Sequence, residues 1–178
     1  MSVFHVQTQK NTSLTTAFTD PTLIPGSIDL GILQSLRTIA LSFTIATADN
    51  VVFPMCICGL LNPPTSPTRL ENIEIQLKWI DCLQGSEERM LVHEPGWGVL
   101  DETLSQENLH PKLTSVFFKL KMGYGWRQLS LTDRPPTEIV IVRDRIVTLA
   151  SKLFQRTVVA RLWRPKIDIE IYKSKFIY

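Results

Sequence analysis

The sequence has few of the residues and runs that define several protein classes. Only three of its 178 residues are cysteines (Cys56, Cys58 and Cys82), and this small odd number favours a reducing compartment over a disulfide framework. The longest apolar run, residues 51–61, is shorter than the roughly 20 residues of a membrane span and contains a proline. The N-terminus has no basic segment followed by an apolar one, so we expect a protein that is not secreted.

Motifs of catalysis and of cofactor binding are also missing. The sequence contains no GxSxG, no HExxH, no P-loop and no GxGxxG. Its three histidines, His5, His93 and His110, lie in no recognisable catalytic setting. Cys56 and Cys58 form a CxC pair in an apolar stretch, which is typical of buried cysteines rather than of a zinc site. We therefore expect a protein that is not an enzyme and that has no metal and no cofactor.

The composition is that of one folded domain with a short arm. Hydrophobic residues make up 44% of the chain and charged residues 20%, which is ordinary for a globular protein. Residues 1–26 are rich in threonine and contain Pro21 and Pro25, and we interpret them as an extended N-terminal arm. Residues 27–178 are then a single β-rich globular domain, in which we find no internal repeat.

Alternating apolar and polar residues predict several strands. The pattern is clear in TIALSFTIAT (38–47), in IEIQLKWID (73–81) and in SVFFKLKM (115–122), and VVFPMCICG (51–59) is a further apolar candidate. One face of each strand should be buried and the other solvated, as in antiparallel sheets.

Residues 132–156 predict the main helix, and two closing strands should follow it. Short helices are expected near 27–37 and 101–109, and the closing strands at 157–163 and 166–178. Together these elements predict an α+β fold: an antiparallel β-sheet packed against one main amphipathic helix and one or two short helices.

The stretch KLKMGYGWRQ (119–128) raises the question of a binding loop. Its two glycines fit a tight β-hairpin turn between two alternating segments. The alternative is a tip that contacts a partner subunit or nucleic acid through Tyr124, Trp126 and Arg127. Both interpretations remain open from the sequence.

The distribution of charge is uneven although the net charge is only +2. Residues 134–178 hold ten Lys or Arg and four acids, a net charge of +6, whereas residues 1–133 carry −4. This asymmetry indicates a face that binds an anionic surface or an acidic patch on a sister subunit. The candidate residues are Arg161, Arg164, Lys166, Lys173 and Lys175. The alternative is a solvated edge strand whose lysines prevent edge-to-edge pairing.

A proline-rich loop is the last candidate site. Residues 62–68, NPPTSPT, contain Pro63, Pro64 and Pro67. Such a segment is stiff and, when exposed, is suited to recruit a partner at little entropic cost. A rigid connection is the simpler interpretation.

The order of these segments resembles that of a viral family. LRTIALSFTIATADN, KLTSVFFKLKMGYGW and VVARLWRPKIDIEIYKSKFIY are similar to the first core strand, the strand before the late helix and the closing strands of the matrix proteins of rhabdovirus-like negative-strand RNA viruses. Unlike the animal-virus members, this chain has no PPxY motif and only Lys10 as a basic residue in residues 1–36.

The resemblance implies a structural protein of the virion. Such a protein would self-associate into a homo-oligomer, bind an anionic membrane surface and the viral nucleocapsid, and lie in the host cytoplasm peripheral to the membrane. The alternative function is a nucleic-acid-binding viral accessory protein, either a movement protein or a silencing suppressor.

Overall fold

The computed structural model of the chain describes residues 13–18, 30–45, 53–62, 66–82, 85–124 and 137–173. Within these ranges the chain forms one sheet and the helices that cover it. The strands are β1 (Ser13–Phe18), β2 (Thr38–Ile45), β3 (Asn72–Cys82), β4 (Ser115–Tyr124) and β5 (Lys166–Lys173). The helices are α1 (Cys56–Leu61), a π-helix (Arg89–His93), α2 (Pro95–Ser105), α3 (Thr137–Ala150) and α4 (Gln155–Arg161).

The sheet is parallel throughout, so the predicted antiparallel α+β fold is wrong and the fold is α/β-like. The strands lie in chain order, β1-β2-β3-β4-β5, and every neighbouring pair is parallel. The first strands are also level with one another, since Ser13 pairs with Thr38, Thr38 with Asn72, and Asn72 with Ser115. A sheet without stagger between its strands is open rather than a closed barrel, because closure requires a shear.

Among the described residues, helices cover only one face of this sheet. When parallel strands follow in chain order and each crossover is right-handed, all the connections pass over the same face. The burial of side chains agrees: Ile39, Leu41, Phe43 and Ile45 of β2 are buried, whereas the residues between them are half-buried. The alternation was therefore predicted correctly, but its cause is a parallel sheet with helices on one side, which has the same period as a half-buried antiparallel sheet.

A short repeat precedes three of the strands, contrary to the expectation of none. Leu36, Leu70 and Leu113 are buried, and each is followed three residues later by the first buried β-branched residue of its strand. The entry geometry repeats as well: Asn72 N donates to Arg37 O at 3.1 Å, and Ser115 N donates to Glu71 O at 3.1 Å. The repeat is hard to see in the sequence because the connections between the copies differ in length.

The core between the sheet and the helices is centred on Trp97 of α2. Its ring lies 4.8 Å from that of Phe53, 5.8 Å from that of Phe118 on β4 and 5.9 Å from that of Phe154. The indole Nε1 donates to the carbonyl of Met90 at 2.8 Å, so this buried polar group is satisfied. Aromatic contacts of this kind join α2 and the turn before α4 to the middle of the sheet.

Helices α2 and α4 are joined by a buried carboxylate. Asp101 accepts hydrogen bonds from the backbone N–H groups of Arg156 and Thr157, both at 2.9 Å, and from the Thr157 hydroxyl at 2.7 Å. These N–H groups belong to the first turn of α4, which has no partners for them within the helix. Asp101 therefore acts as a cap in trans, and residues 157–161 of the predicted strand 157–163 belong instead to α4.

The other corrections follow from the same topology. Residues 51–59 were predicted as a strand, but α1 begins at Cys56 and buries Ile57, Cys58, Leu60 and Leu61, since a short apolar run fits a buried helix as well as a strand. The predicted hairpin after β4 continues into residues 125–131, which lie outside the described residues; within the described ranges β4 pairs in parallel with β3 on one side and β5 on the other. The main helix is confirmed as α3, while the segment 30–37 forms turns rather than a helix.

Candidate binding face of the sheet

The uncovered face of the sheet, called the open face below, presents one row of side chains from each strand. Because neighbouring side chains of a strand point to opposite faces, the residues between the buried ones lie here. They are Ala40, Ser42 and Thr44 of β2, Glu74, Gln76 and Lys78 of β3, Phe117, Lys119 and Lys121 of β4, and Lys166, Asp168, Glu170 and Tyr172 of β5. The level register aligns them across the strands, so the open face is a continuous polar surface.

Lysines concentrate at the middle of the open face. Lys119 and Lys121 both contact Glu170 of the neighbouring strand, with Nζ to Oε2 distances of 3.5 and 3.3 Å. Burial acts to raise the pKa of the Glu170 carboxyl, but the hydrogen bonds and charges of Lys121 and Lys119 outweigh it and lower the pKa. One carboxylate thus holds two ammonium groups in place, and Lys78, level with Lys121, adds a third.

Tyr172 lies flat across the open face over Gly123. Its hydroxyl donates to the carbonyl of Trp79, two strands away, at 2.9 Å. A Cβ atom at position 123 would lie 2.7 Å from the tyrosine ring, so glycine is required for this close approach. Lys78 Nζ stands 5.5 Å from the centroid of the same ring, within the range of a cation–π contact. Burial, with the charges of Cys82 and Glu170, raises the pKa of Tyr172 to about 12.

The remainder of the open face can form hydrogen bonds with a ligand. Gln76 Nε2 donates to the Ser42 hydroxyl at 3.1 Å, which orients the amide across β2 and β3. The Phe117 side chain is only half-buried on this face. The open face therefore combines fixed cations, oriented polar groups and an aromatic ring, a combination suited to non-covalent recognition of an anionic partner.

Of the predicted contact residues Tyr124, Trp126 and Arg127, the structure describes only Tyr124. Tyr124 is fully buried, and its hydroxyl donates to Glu87 Oε1 at 2.8 Å, so it is not an exposed tip. Burial and the negative charge of Glu87 raise the pKa of Tyr124. Trp126 and Arg127 lie outside the described residues.

The predicted basic residues divide into separate groups. Arg161 is a structural residue: its guanidinium donates to the carbonyls of Leu104, Gln106 and His110, the last two at 3.0 and 3.1 Å. Arg164 and Lys166 are exposed at the start of β5. Lys173 ends β5, its side chain is outside the description, and Lys175 lies beyond the described residues.

The proline-rich loop is described only in part. Pro63 and Pro64 fall outside the described residues, and Pro67 is exposed. The neighbouring Ser66 hydroxyl donates to Gly31 O at 2.9 Å, which attaches this end of the loop to the turn before β2. The recruitment of a partner by this loop stays a prediction.

Polar groups beneath the sheet form structural contacts. His110 is buried, with Nδ1 2.7 Å from the Thr68 hydroxyl, and burial lowers its pKa to about 4. Glu94 accepts from Gly96 N at the start of α2. In the described ranges no group of three or more His, Cys, Asp or Glu is arranged to hold a metal ion, and no described helix is both long and apolar enough to cross a membrane.

Sequence reasoning missed the open face as a site. Lys78, Glu170 and Tyr172 were recognised only as the solvated positions of alternating strands. The equal phase of β2, β3 and β4 after Leu36, Leu70 and Leu113 is a signal that aligns Lys78 with the lysines of β4. Glu170 and Tyr172 of β5 lie outside this repeat. Comparison of the chain with protein-family models, with curated proteins and with solved structures found no match.

Proposed function

We propose that the chain is a non-enzymatic recognition module that binds an acidic segment of a partner protein on the open face. The observation that supports this is the group of three lysines, Lys78, Lys119 and Lys121, on a level surface that the helices leave uncovered. Parallel arrays with helices on one side offer such a surface for binding, because the strands supply a rigid, extended platform.

The contacts of Glu170 favour anion binding in particular. The carboxylate holds Lys119 and Lys121 upright, so less side-chain entropy is lost when a ligand binds. On the row that Lys78, Lys121 and Glu170 share, two ammonium groups face one carboxylate, so this part of the open face is cationic. Glu74 and Asp168 offset positive charge elsewhere on the open face. An incoming carboxylate can share the lysines with Glu170 while a neighbouring one pairs with Lys78.

The test uses a fluorescent, glutamate-rich peptide as the probe. Replacing Lys78 and Lys121 together by alanine should weaken binding about tenfold, since each exposed ion pair contributes up to about 1 kcal/mol. Glu170→Gln removes the competing carboxylate and should strengthen binding. The matched control is Lys112→Ala, an exposed lysine in the turn between α2 and β4. Binding that is equally strong in all four proteins would overturn the proposal.

Two further arms distinguish other anionic partners. Single-stranded RNA and anionic liposomes are offered to the same variants across a salt series. If the chain does not bind the peptide but binds RNA or liposomes through these lysines, the partner of the open face is nucleic acid or a membrane surface instead of a protein. The viral matrix protein and the viral accessory protein stay predictions. The predicted closing strand pair, one of the three segments behind the resemblance, is α4 followed by β5.

A further inference from the structure

The sheet is incompletely covered at its β5 end. Among the described residues β5 pairs with β4 alone. On β4 the helix-side residues Phe118, Leu120 and Met122 are fully buried, at 0% exposure. Of their three partners on β5, Ile169 is buried, whereas Ile167 and Ile171 are only half-buried. The rows of apolar side chains that cross the helix side of the sheet therefore end at β5, where no further described strand packs against them.

An apolar groove of about 190 Å³, called the edge groove below, lies beside β5. It is lined by Val147, Ala150, Ser151, Leu153, Phe154, Arg164, Pro165, Ile167 and Ile169. Ile167 and Ile169 continue the rows that begin with Phe118 and Leu120. The edge groove thus lies at the next position of these rows, where the helix-side residues of an added strand would pack.

The rim of the edge groove is basic. Arg164 lines it, and its Nη1 donates to Ser151 O at 3.3 Å. Lys152 is exposed and lies in the chain between the lining residues Ser151 and Leu153. The outer face of α3 adds apolar surface, since Val140 and Ile141 are 51% and 65% exposed. A matching occupant is an extended, apolar strand that belongs to a less basic surface.

We propose that this occupant is β1 of a second copy of the chain, which adds to β5 in parallel, head to tail. The sheet has its free described edges at β1 and β5, and all its strands share one direction and a level register. A β1 strand can therefore follow β5 with the geometry that β5 has beside β4. Leu14 and Phe18 of β1 are level with the buried Ile39 and Phe43, so β1 has the same register as the strands of the core.

Charge selects this arrangement over a symmetric one. Two β5 edges brought together would juxtapose the basic rims of both copies, which is destabilising. Residues 134–178 carry +6, whereas residues 1–82, which contain β1, hold four bases and six acids and carry −2. The opposite net charges of these two segments favour a β5-to-β1 contact over a β5-to-β5 contact. Because the β5-to-β1 contact is heterologous it leaves a free edge at each end, so the assembly grows as a chain of copies.

The test is sedimentation of the full chain and of variants that block one edge each. Val147→Glu with Arg164→Glu blocks the β5 edge at two exposed positions, and Leu14→Lys with Phe18→Lys blocks the β1 edge. Each blocked protein should be monomeric, while an equal mixture of the two should form a species with the mass of two chains. Val159→Glu is the matched control, since Val159 is 77% exposed on α4 and does not line the edge groove.

Three results would overturn the proposal. The wild-type chain could stay monomeric at its highest soluble concentration, the mixture of blocked variants could stay monomeric, or the β1-blocked variant could associate like the wild type. The last result would indicate a symmetric β5 contact. Circular dichroism of every variant checks that the domain remains folded. If the two β1 substitutions unfold β1 alone, the β1 edge is removed all the same, so this variant still tests the contact. Lys78→Ala with Lys121→Ala should leave sedimentation unchanged, so this proposal and the binding of an acidic peptide succeed or fail separately.

Discussion

Acidification should destabilise the fold through one buried histidine. His110 has no exposed surface, and its Nδ1 lies 2.7 Å from the hydroxyl of Thr68. Burial is the main cause that lowers its pKa from 6.5 to about 4. The backbone of Leu61 raises the pKa, and the positive charge of Arg161 lowers it further. The folded chain therefore holds this imidazole neutral under conditions where the unfolded chain protonates it.

The sign and size of the effect follow from this difference in pKa. Between pH 6.5 and about 4 the unfolded state binds more protons than the folded state, so the free energy of unfolding falls as the pH falls. The contribution of His110 is fully present above pH 6.5, and about 3 kcal/mol of it is lost by pH 4, at 1.36 kcal/mol for each pKa unit.

The assay is urea unfolding at a series of pH values from 7.5 to about 4. His110→Gln keeps a hydrogen-bonding group beside Thr68 but cannot titrate, so its unfolding free energy should fall less on acidification, by about 3 kcal/mol. His93→Gln is the matched control, because the side chain of His93 is 65% exposed. Parallel curves for the wild type and His110→Gln would refute the assignment of the pH dependence to this buried imidazole.

Two further predictions concern polar contacts that fix the architecture. Asp101→Ala should lower the free energy of unfolding by about 3 kcal/mol, because it leaves buried N–H donors of α4 unpaired. The control, Asp144→Ala at an exposed position of α3, should change the free energy of unfolding little. Equal effects of the two substitutions in chemical denaturation would contradict the role of Asp101 as a cap in trans. Gly123→Ala should displace the ring of Tyr172 and lower the free energy of unfolding by about 1–2 kcal/mol in the wild type. The same substitution should lower it less in a Tyr172→Ala background. A double-mutant cycle that finds no coupling between the two positions would disprove the close approach.

The strands were predictable where one face of the sheet is buried and the other is exposed to solvent. Residues 38–47, 73–81 and 115–122 alternate strictly, and β2, β3 and β4 coincide with them closely. The main helix was predictable for a similar reason, since Val142, Ile146 and Leu149 recur at helical spacing and are buried in α3. Local periodicity records which side of an element faces the core, and for these elements that information is sufficient.

Segments without a clear hydrophobic period could not be assigned to helix or strand from the sequence, because tertiary contacts determine which of the two they form. Residues 56–61 are apolar throughout, and nothing local separates a buried helix from a strand. Residues 157–163 are rich in β-branched residues, which favours a strand, but the carboxylate of Asp101, distant in sequence, binds the N–H groups of the first turn of α4. A contact of such long range leaves no mark in the local pattern.

The candidate site shows the same division. Alternation alone assigns Lys78, Lys119, Lys121 and Glu170 to the solvated positions of their strands, because it fixes the face of each residue. That these residues meet depends on the order, direction and register of the strands, which place Glu170 beside both Lys119 and Lys121. Antiparallel and parallel sheets share the same period along each strand, so strand direction follows from the crossover connections.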